Sequence, residues 1–93
     1  MGATFEYEMT TSEGDYLANK ILQDVNSLYE DVEQLARDRE EHFLVMNKMR
    51  QLTVLETMMT KLNTTEYWGN KVTCMIAQIR YTANFNWPEK FPL

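Results

Sequence analysis

The sequence is poor in the residues that interrupt regular structure, since its 93 residues include only three glycines and two prolines. A chain of many short strands needs frequent turns, and turns favour these two residue types. Their scarcity argues against an all-β fold. Residues 15–62 contain neither glycine nor proline over 48 positions, and they are rich in good helix formers with apolar residues at helical spacing. We therefore expect an all-α fold in a single domain, residues 1–93.

Cysteine and long apolar runs are also scarce. Cys74 is the only cysteine, so no intrachain disulfide can form, which fits a reducing compartment. The first residues lack the basic stretch and apolar core of a secretory signal. No apolar run approaches the roughly 20 residues of a membrane span. We expect a cytoplasmic protein with no membrane partner.

The sequence shows none of the common motifs of catalysis or metal binding. His42 and Cys74 are the only residues of their types, and neither lies in a nucleophile motif. There is no Glu-x-x-His pair of the kind that di-iron bundles use, no cluster of metal ligands and no phosphate-binding glycine loop. We expect a non-enzymatic protein with no catalytic residues, no metal and no cofactor.

Charge is distributed unevenly along the chain. The net charge is −5, but residues 1–41 carry 11 acids and 3 bases, whereas residues 42–93 carry 3 acids and 6 bases. An acidic protein lacks the basic face that duplex DNA requires, so we expect no duplex DNA partner. Opposite charges on the two halves favour packing of the halves on each other or on a second copy, which predicts a homo-oligomer.

Apolar periodicity predicts three helices at about 13–36, 39–62 and 65–84. The first has Thr11 or Ser12 as its N-cap and carries one heptad seam. The second is apolar around much of its circumference, so we expect it to be the most buried, central to a bundle or to an oligomer. The seam of the first helix consists of Ile21, Val25, Leu28, Val32 and Leu35.

The joint between the first two helices can be read in two ways. Residues 15–62 form either one helix of about 70 Å or two helices that turn back near Arg37 and Asp38. The charge-rich segment 37–41 breaks the apolar phase, and Asp38 and Glu41 have capping-box spacing. The missing glycine or proline opposes a turn. We favour the turn, and hence an antiparallel helical hairpin within a three-helix bundle.

Two extended segments flank the helices. Residues 3–9 alternate apolar and polar, so residues 1–12 form an arm that packs on the helices, pairs with a symmetry mate or joins a partner's sheet. An arm that crosses the first helix start would place Tyr7 beside Lys20 and the positive end of the helix dipole. The aromatic tail, residues 85–93, either folds back over the bundle or docks on a partner.

Several short motifs follow one another in a recognisable order: Phe5-Glu6-Tyr7, the amphipathic helix behind Ile21, the acidic and arginine-containing turn 38–41, Thr60-Lys61-Leu62, and Trp68-Gly69-Asn70. This order resembles the small phage proteins that sequester cyclic oligonucleotide signals of the CBASS bacterial immune system. The resemblance implies a helical oligomer, a hexamer, in the host cytoplasm. It implies that Tyr7 stacks on a base of a cyclic di- or trinucleotide while Lys20 or Lys61 neutralises a phosphate, without cleavage.

A competing hypothesis needs no motif. The acidic side of the first helix and the aromatic tail suit a protein–protein interaction module, a phage-type inhibitor of a host protein or an assembly adaptor, that occludes a basic surface of its partner. A purely structural coiled-coil subunit is a third possibility. The partner surface of the second hypothesis consists of Asp24, Glu30, Asp31, Glu33, Trp87 and Phe91.

Overall fold

The computed structural model describes residues 8–39 and 42–88, except for the side chain of His42. These residues form three helices, α1 (Thr11–Arg37), α2 (His42–Thr60) and α3 (Glu66–Asn86), and no strand. The all-helical bundle that the sequence predicts is therefore confirmed. Tyr7 and the rest of the arm up to residue 7 lie outside the described residues, as do Phe91 and the other residues after 88.

The start of α1 is fixed by a capping box, and the helix begins two residues before the predicted start at about residue 13. Thr10 is the N-cap, and its hydroxyl accepts a hydrogen bond from the Glu13 backbone N–H at 3.2 Å. The Glu13 carboxylate in turn accepts from the Thr10 backbone N–H at 3.0 Å. The prediction of Thr11 or Ser12 as N-cap is wrong, because only Thr10 has a glutamate three residues later that can complete this reciprocal pair.

The joint between α1 and α2 is a turn, as the sequence analysis favoured. Asp38 is the C-cap of α1, and its side chain accepts a hydrogen bond from Gln34 Nε2 at 2.9 Å. Asp38 thus caps α1 and does not open α2, which begins at His42. Arg39 has φ 53°, in the left-handed region that normally favours glycine. In this turn an arginine thus takes a conformation that is usually assigned to glycine.

The core is built mainly by α1 and α3, which run parallel to each other with α2 antiparallel to both. The heptad seam of α1 is buried apart from the half-buried Leu35, and α1 packs more extensively on α3 than on α2. Of the many apolar residues of α2, only Val45 and Leu52 are fully buried. The expectation that α2 is the most buried helix of the bundle is therefore wrong, because its apolar residues surround the helix and two neighbours cover only one side. A central place for α2 in an oligomer stays a prediction. The buried apolar residues are Ala18, Ile21, Leu22, Val25, Leu28, Val32, Val45, Leu52, Val72, Ile76, Ile79 and Ala83.

At the end of the bundle where α1 begins, hydrogen bonds connect the start of α1 to the α2–α3 loop and to the start of α3. Asn63 Nδ2, in the α2–α3 loop, donates to the Met9 carbonyl at 2.9 Å. The Asp15 carboxylate accepts hydrogen bonds from the backbone N–H of Thr65 at 2.8 Å and from its hydroxyl at 3.0 Å. Thr65 is the N-cap of α3, so a side chain of α1 holds the start of α3.

The third helix is longer than the prediction, because α3 continues through Phe85 to Asn86 and these residues are not part of an extended tail. The side chains of Asn84 and Asn86 donate to the carbonyls of Arg80 and Thr82, each at 2.9 Å. The helix ends before Trp87, the residue that precedes Pro88, where a helical conformation is disfavoured. The helix thus extends two residues beyond its predicted end at about residue 84.

Candidate binding surfaces

A cleft of about 400 Å³ runs along the outside of the bundle between α1 and α2. Its floor is apolar and its rim is polar, with acidic side chains on the α1 side. The lining residues are Asp24, Ser27, Leu28, Asp31, Gln51, Val54 and Leu55. A concave apolar surface with a few polar groups is the usual form of a binding site, and here the two charged residues among the lining residues are both acidic.

The structure divides the acidic residues that the sequence analysis grouped together. Asp24 and Asp31 line the α1–α2 cleft, because residues seven apart lie on the same side of a helix. Glu30 is exposed and Glu33 is half-buried, and neither lines this cleft. Asp31 forms an ion pair with Lys48 at 3.1 Å across the rim, whereas the described part of the chain offers Asp24 no such partner.

The outer side of α2 carries large apolar side chains in contact with solvent. Phe43 is 55% exposed, Val54 59% and Met58 47%. Val54 also lines the cleft, and Met58 lies one turn further along α2 on the same side, so these two side chains extend the apolar area beside the cleft. Sequence periodicity detected an excess of apolar residues on α2 but could not tell which of them two neighbouring helices would leave uncovered.

Lys20 and Lys61, the two predicted phosphate ligands, lie near the same end of the molecule. Asp31 of α1 lies opposite Lys48 of the antiparallel α2. Eleven residues, or roughly three turns, before Asp31 is Lys20, and eleven residues after Lys48 is Met59, so Lys20 lies level with Met59 and close to Lys61. Lys20 lies over the ring of Tyr16, with Nζ 5.2 Å from the centroid. Both lysines are exposed.

Tyr16 is an aromatic residue beside Lys20 that the sequence analysis did not select. Its ring is 63% exposed and lines a shallow cleft with Ser12, Glu13 and Leu17 at the start of α1. The sequence spacing of Tyr16 and Lys20 could have indicated this pair, because residues four apart lie on one side of a helix. A second lysine has a similar environment on α3, where Lys71 Nζ lies 5.4 Å from the ring centroids of both Tyr67 and Trp68.

A bidentate ion pair connects α2 to α3. The guanidinium of Arg80 donates two hydrogen bonds of 2.6 Å to the carboxylate of Glu56. These hydrogen bonds lower the pKa of Glu56 and raise the pKa of Arg80. Partial burial opposes both pKa shifts, whereas the attraction between the two charges adds to both. A polar cleft adjoins this pair between α2 and α3, and Glu56, Thr60, Thr64, Asn70 and Thr73 contribute its polar lining.

Trp87, the described member of the predicted tail surface, is half-buried and packs against the core at the end of α3. Its backbone N–H donates to the Ala83 carbonyl at 2.8 Å. Trp87 lines a small cleft with Ala36, Arg39 and Asn86. Trp87 thus lies against the bundle, and whether the rest of the tail folds back or docks on a partner stays a prediction.

Within residues 8–39 and 42–88, no group of three or more His, Cys, Asp or Glu side chains is placed to hold a metal ion. No helix in that part of the chain has both the length and the apolar character needed to span a membrane. No protein family, curated protein or solved structure matches this chain.

Proposed function

We propose that this chain is a non-enzymatic protein-binding module, which occludes a basic surface of another protein with the face formed by α1 and α2. The observation that supports this proposal is the cleft in which Asp24 and Asp31 stand beside an apolar floor. Beside this cleft, the side chains of Val54 and Met58 are exposed. Contiguous exposed apolar surface next to fixed charge is typical of protein interaction sites.

Charge reversal tests this proposal. Asp24→Lys replaces a carboxylate of the cleft by an ammonium, and Glu30→Lys makes the same change at an exposed position outside the cleft. Wild-type protein and both variants are used to capture proteins from bacterial lysate, and the captured proteins are quantified by mass spectrometry. We expect a basic protein that wild type and Glu30→Lys retain and that Asp24→Lys loses.

Two results would contradict the proposal. One is that no protein is retained by the wild type above an unrelated acidic helical protein. The other is that the retained proteins depend equally on both substitutions, which would show attraction to net charge and no dependence on the α1–α2 face.

A second candidate function, the stoichiometric sequestration of a cyclic di- or trinucleotide, is favoured by a different observation. Tyr16 offers an exposed ring 5.2 Å from the ammonium of Lys20. An aromatic face stacks on a base and a neighbouring cation neutralises a phosphate. Lys61 lies near the same end of the molecule, although the acidic α1–α2 cleft disfavours phosphate on the adjoining face.

Thermal melts with cyclic di- and trinucleotides test the second candidate. A ligand that binds only the folded protein, at about 100 times its Kd, stabilises it by roughly 2.7 kcal/mol. We expect Lys20→Ala to remove this stabilisation and Lys71→Ala, which removes a lysine that also lies over an aromatic ring, to preserve it. Unchanged melting temperatures of the wild type with every nucleotide would eliminate this candidate.

A further inference from the structure

The two carboxylates of the α1–α2 cleft are spaced so that they select the shape of a partner. Asp24 and Asp31 are seven residues apart on α1, which corresponds to two helical turns or about 10 Å along the helix axis. Leu28 lies between them on the cleft floor. Asp31 pairs with Lys48 through Oδ2 and is still 48% exposed, so a ligand cation there would share this carboxylate with Lys48. A ligand that contacts both carboxylates presents two cations about 10 Å apart on one side, with apolar groups between them.

A helix meets this requirement more closely than an extended strand. Two residues seven apart in a helix lie on the same side at about 10 Å. In a strand, residues on the same side are separated by even numbers, at roughly 7 or 13 Å. Two strand residues three positions apart are separated by about 10 Å, but their side chains point to opposite sides of the strand.

The apolar part of the cleft suits the same occupant. Leu28 is buried, Leu55 is half-buried and Val54 is 59% exposed, so an apolar stripe laid between α1 and α2 would cover surface that now contacts water. Burial of such side chains is favourable by about 25 cal/mol per Å². We infer that the α1–α2 cleft binds a basic amphipathic helix of a partner protein, which becomes the fourth helix of the bundle.

A second copy of this chain fits the cleft poorly. No two Lys or Arg residues of the sequence are seven positions apart, so no helix of the chain can bring one cation to Asp24 and another to Asp31. Anionic ligands are disfavoured by the two carboxylates. The inference rests on the proposed protein-binding function and adds to it the class of partner.

Titration with a synthetic peptide tests the inference. The probe is a fluorescent amphipathic peptide of about 18 residues, or five helical turns, with a leucine stripe and lysines seven apart on one flank. A second peptide of identical composition has one lysine moved to the opposite side of the helix. We expect the first peptide to bind wild-type protein at least tenfold more tightly than the second in fluorescence anisotropy.

Two matched protein variants separate docking in the cleft from attraction to net charge. Val54→Asp and Thr57→Asp add the same charge to exposed positions of α2, but only Val54 lines the cleft. Attraction to net charge would strengthen binding of both variants equally. We expect Val54→Asp to weaken binding by about tenfold, because it removes apolar contact, and Thr57→Asp to leave it within about twofold. Circular dichroism confirms that both variants keep their helices.

Three outcomes would overturn the inference. Equal affinity of the two peptides, or of the two variants, would show that no specific docking occurs. Light scattering could find that wild type and Thr57→Asp are dimers and that Val54→Asp is a monomer. That result would show that a second copy of the chain occupies the cleft. Failure of the peptide while capture from lysate remains sensitive to Asp24→Lys would exclude a helical occupant and retain the proposed function; failure of both would contradict both.

Discussion

At the scale of single residues, two backbone positions determine whether the three helices can come together. Gly14 is buried where α1 meets the α2–α3 loop, and a Cβ atom there would overlap the carbonyl oxygen of Asn63. Arg39 holds the left-handed conformation that separates α1 from α2. Both residues act through backbone geometry, which explains why neither stands out by its chemical type.

Gly14→Ala should destabilise the protein by about 1–3 kcal/mol, because the added methyl group meets main chain that cannot move without disturbing the loop. Gly69→Ala is the matched control in α3. Its Cβ would lie 3.1 Å from the Thr64 hydroxyl oxygen, a side-chain atom that can rotate away, so the gain in helix propensity of up to about 1 kcal/mol should prevail. Urea denaturation measures both; equal effects of the two substitutions would contradict the packing at Gly14.

Arg39→Gly should stabilise the protein by about 0.5–1 kcal/mol, because glycine adopts positive φ without the penalty that Cβ imposes. Arg37→Gly is the control two residues earlier, at the last residue of α1, where glycine should destabilise the helix by up to about 1 kcal/mol. Thermal unfolding followed by circular dichroism distinguishes the two. A lower melting temperature for Arg39→Gly would show that the turn has another geometry.

At the scale of the helices, the amphipathic elements were the most predictable part of the molecule. The heptad seam of α1 and the apolar residues Val72, Ile76 and Ile79 of α3 are buried, because a helix with one apolar stripe has one way to face a core. The number of helices and the turn after Arg37 were also predicted. The exact ends depended on side-chain pairs such as Thr10 with Glu13, whose capping-box spacing is present in the sequence but is not part of the apolar periodicity.

The role of α2 and the candidate sites were less predictable for a physical reason. A helix that is apolar on all sides does not encode which side its neighbours cover, so the exposure of Phe43, Val54 and Met58 required the packed structure. The cleft likewise depends on the register between α1 and α2. The sequence grouped four acidic residues by density, and the fold brings only Asp24 and Asp31 into the cleft.

The Glu56–Arg80 pair should make the attachment of α2 to α3 dependent on pH. The folded-state pKa of Glu56 is lowered chiefly by the hydrogen bonds from Arg80, so its stabilisation is fully present above the unfolded pKa of about 4.3 and is lost as the pH falls through the folded value. Because the Glu56 side chain is 43% exposed, the contribution should stay below about 1 kcal/mol.

Glu56→Gln should therefore reduce the free energy of unfolding at pH 7 and have a smaller effect at about pH 3. Glu30→Gln, at an exposed position of α1, should have little effect at either pH. Urea denaturation at the two pH values measures the difference. A loss of equal size at both pH values would show that Glu56 stabilises the protein through packing and not through its charge.

At the scale of the whole molecule, the bundle is elongated, and its three helices contribute unequally to the core. Its principal extents are 56 × 30 × 19 Å, with a Cα radius of gyration of 15.9 Å, above the roughly 12 Å of a compact domain of this length. The α1–α3 pair forms most of the core, and α2 contributes only two fully buried apolar residues.

Native-state hydrogen exchange should reveal this difference directly. Amides of α2 should exchange through openings of lower free energy than amides in the buried stretches of α1 and α3, since few buried apolar contacts hold α2 in place. A fourth helix bound in the α1–α2 cleft should slow exchange in α2 more than in α3. Uniform protection of the three helices in the free protein would contradict a weaker attachment of α2 to the bundle.

The hydrogen bonds between Asp15 and Thr65 join residues separated by 50 positions, at the end of the bundle where α1 and α3 begin. Most helical bundles fold quickly because their contacts are local. Here the most extensive helix pair is the non-adjacent one, so the folding transition state must close a long loop before its main core forms. We expect this protein to fold more slowly than a helical hairpin of equal stability, with α2 docking after α1 and α3 have met.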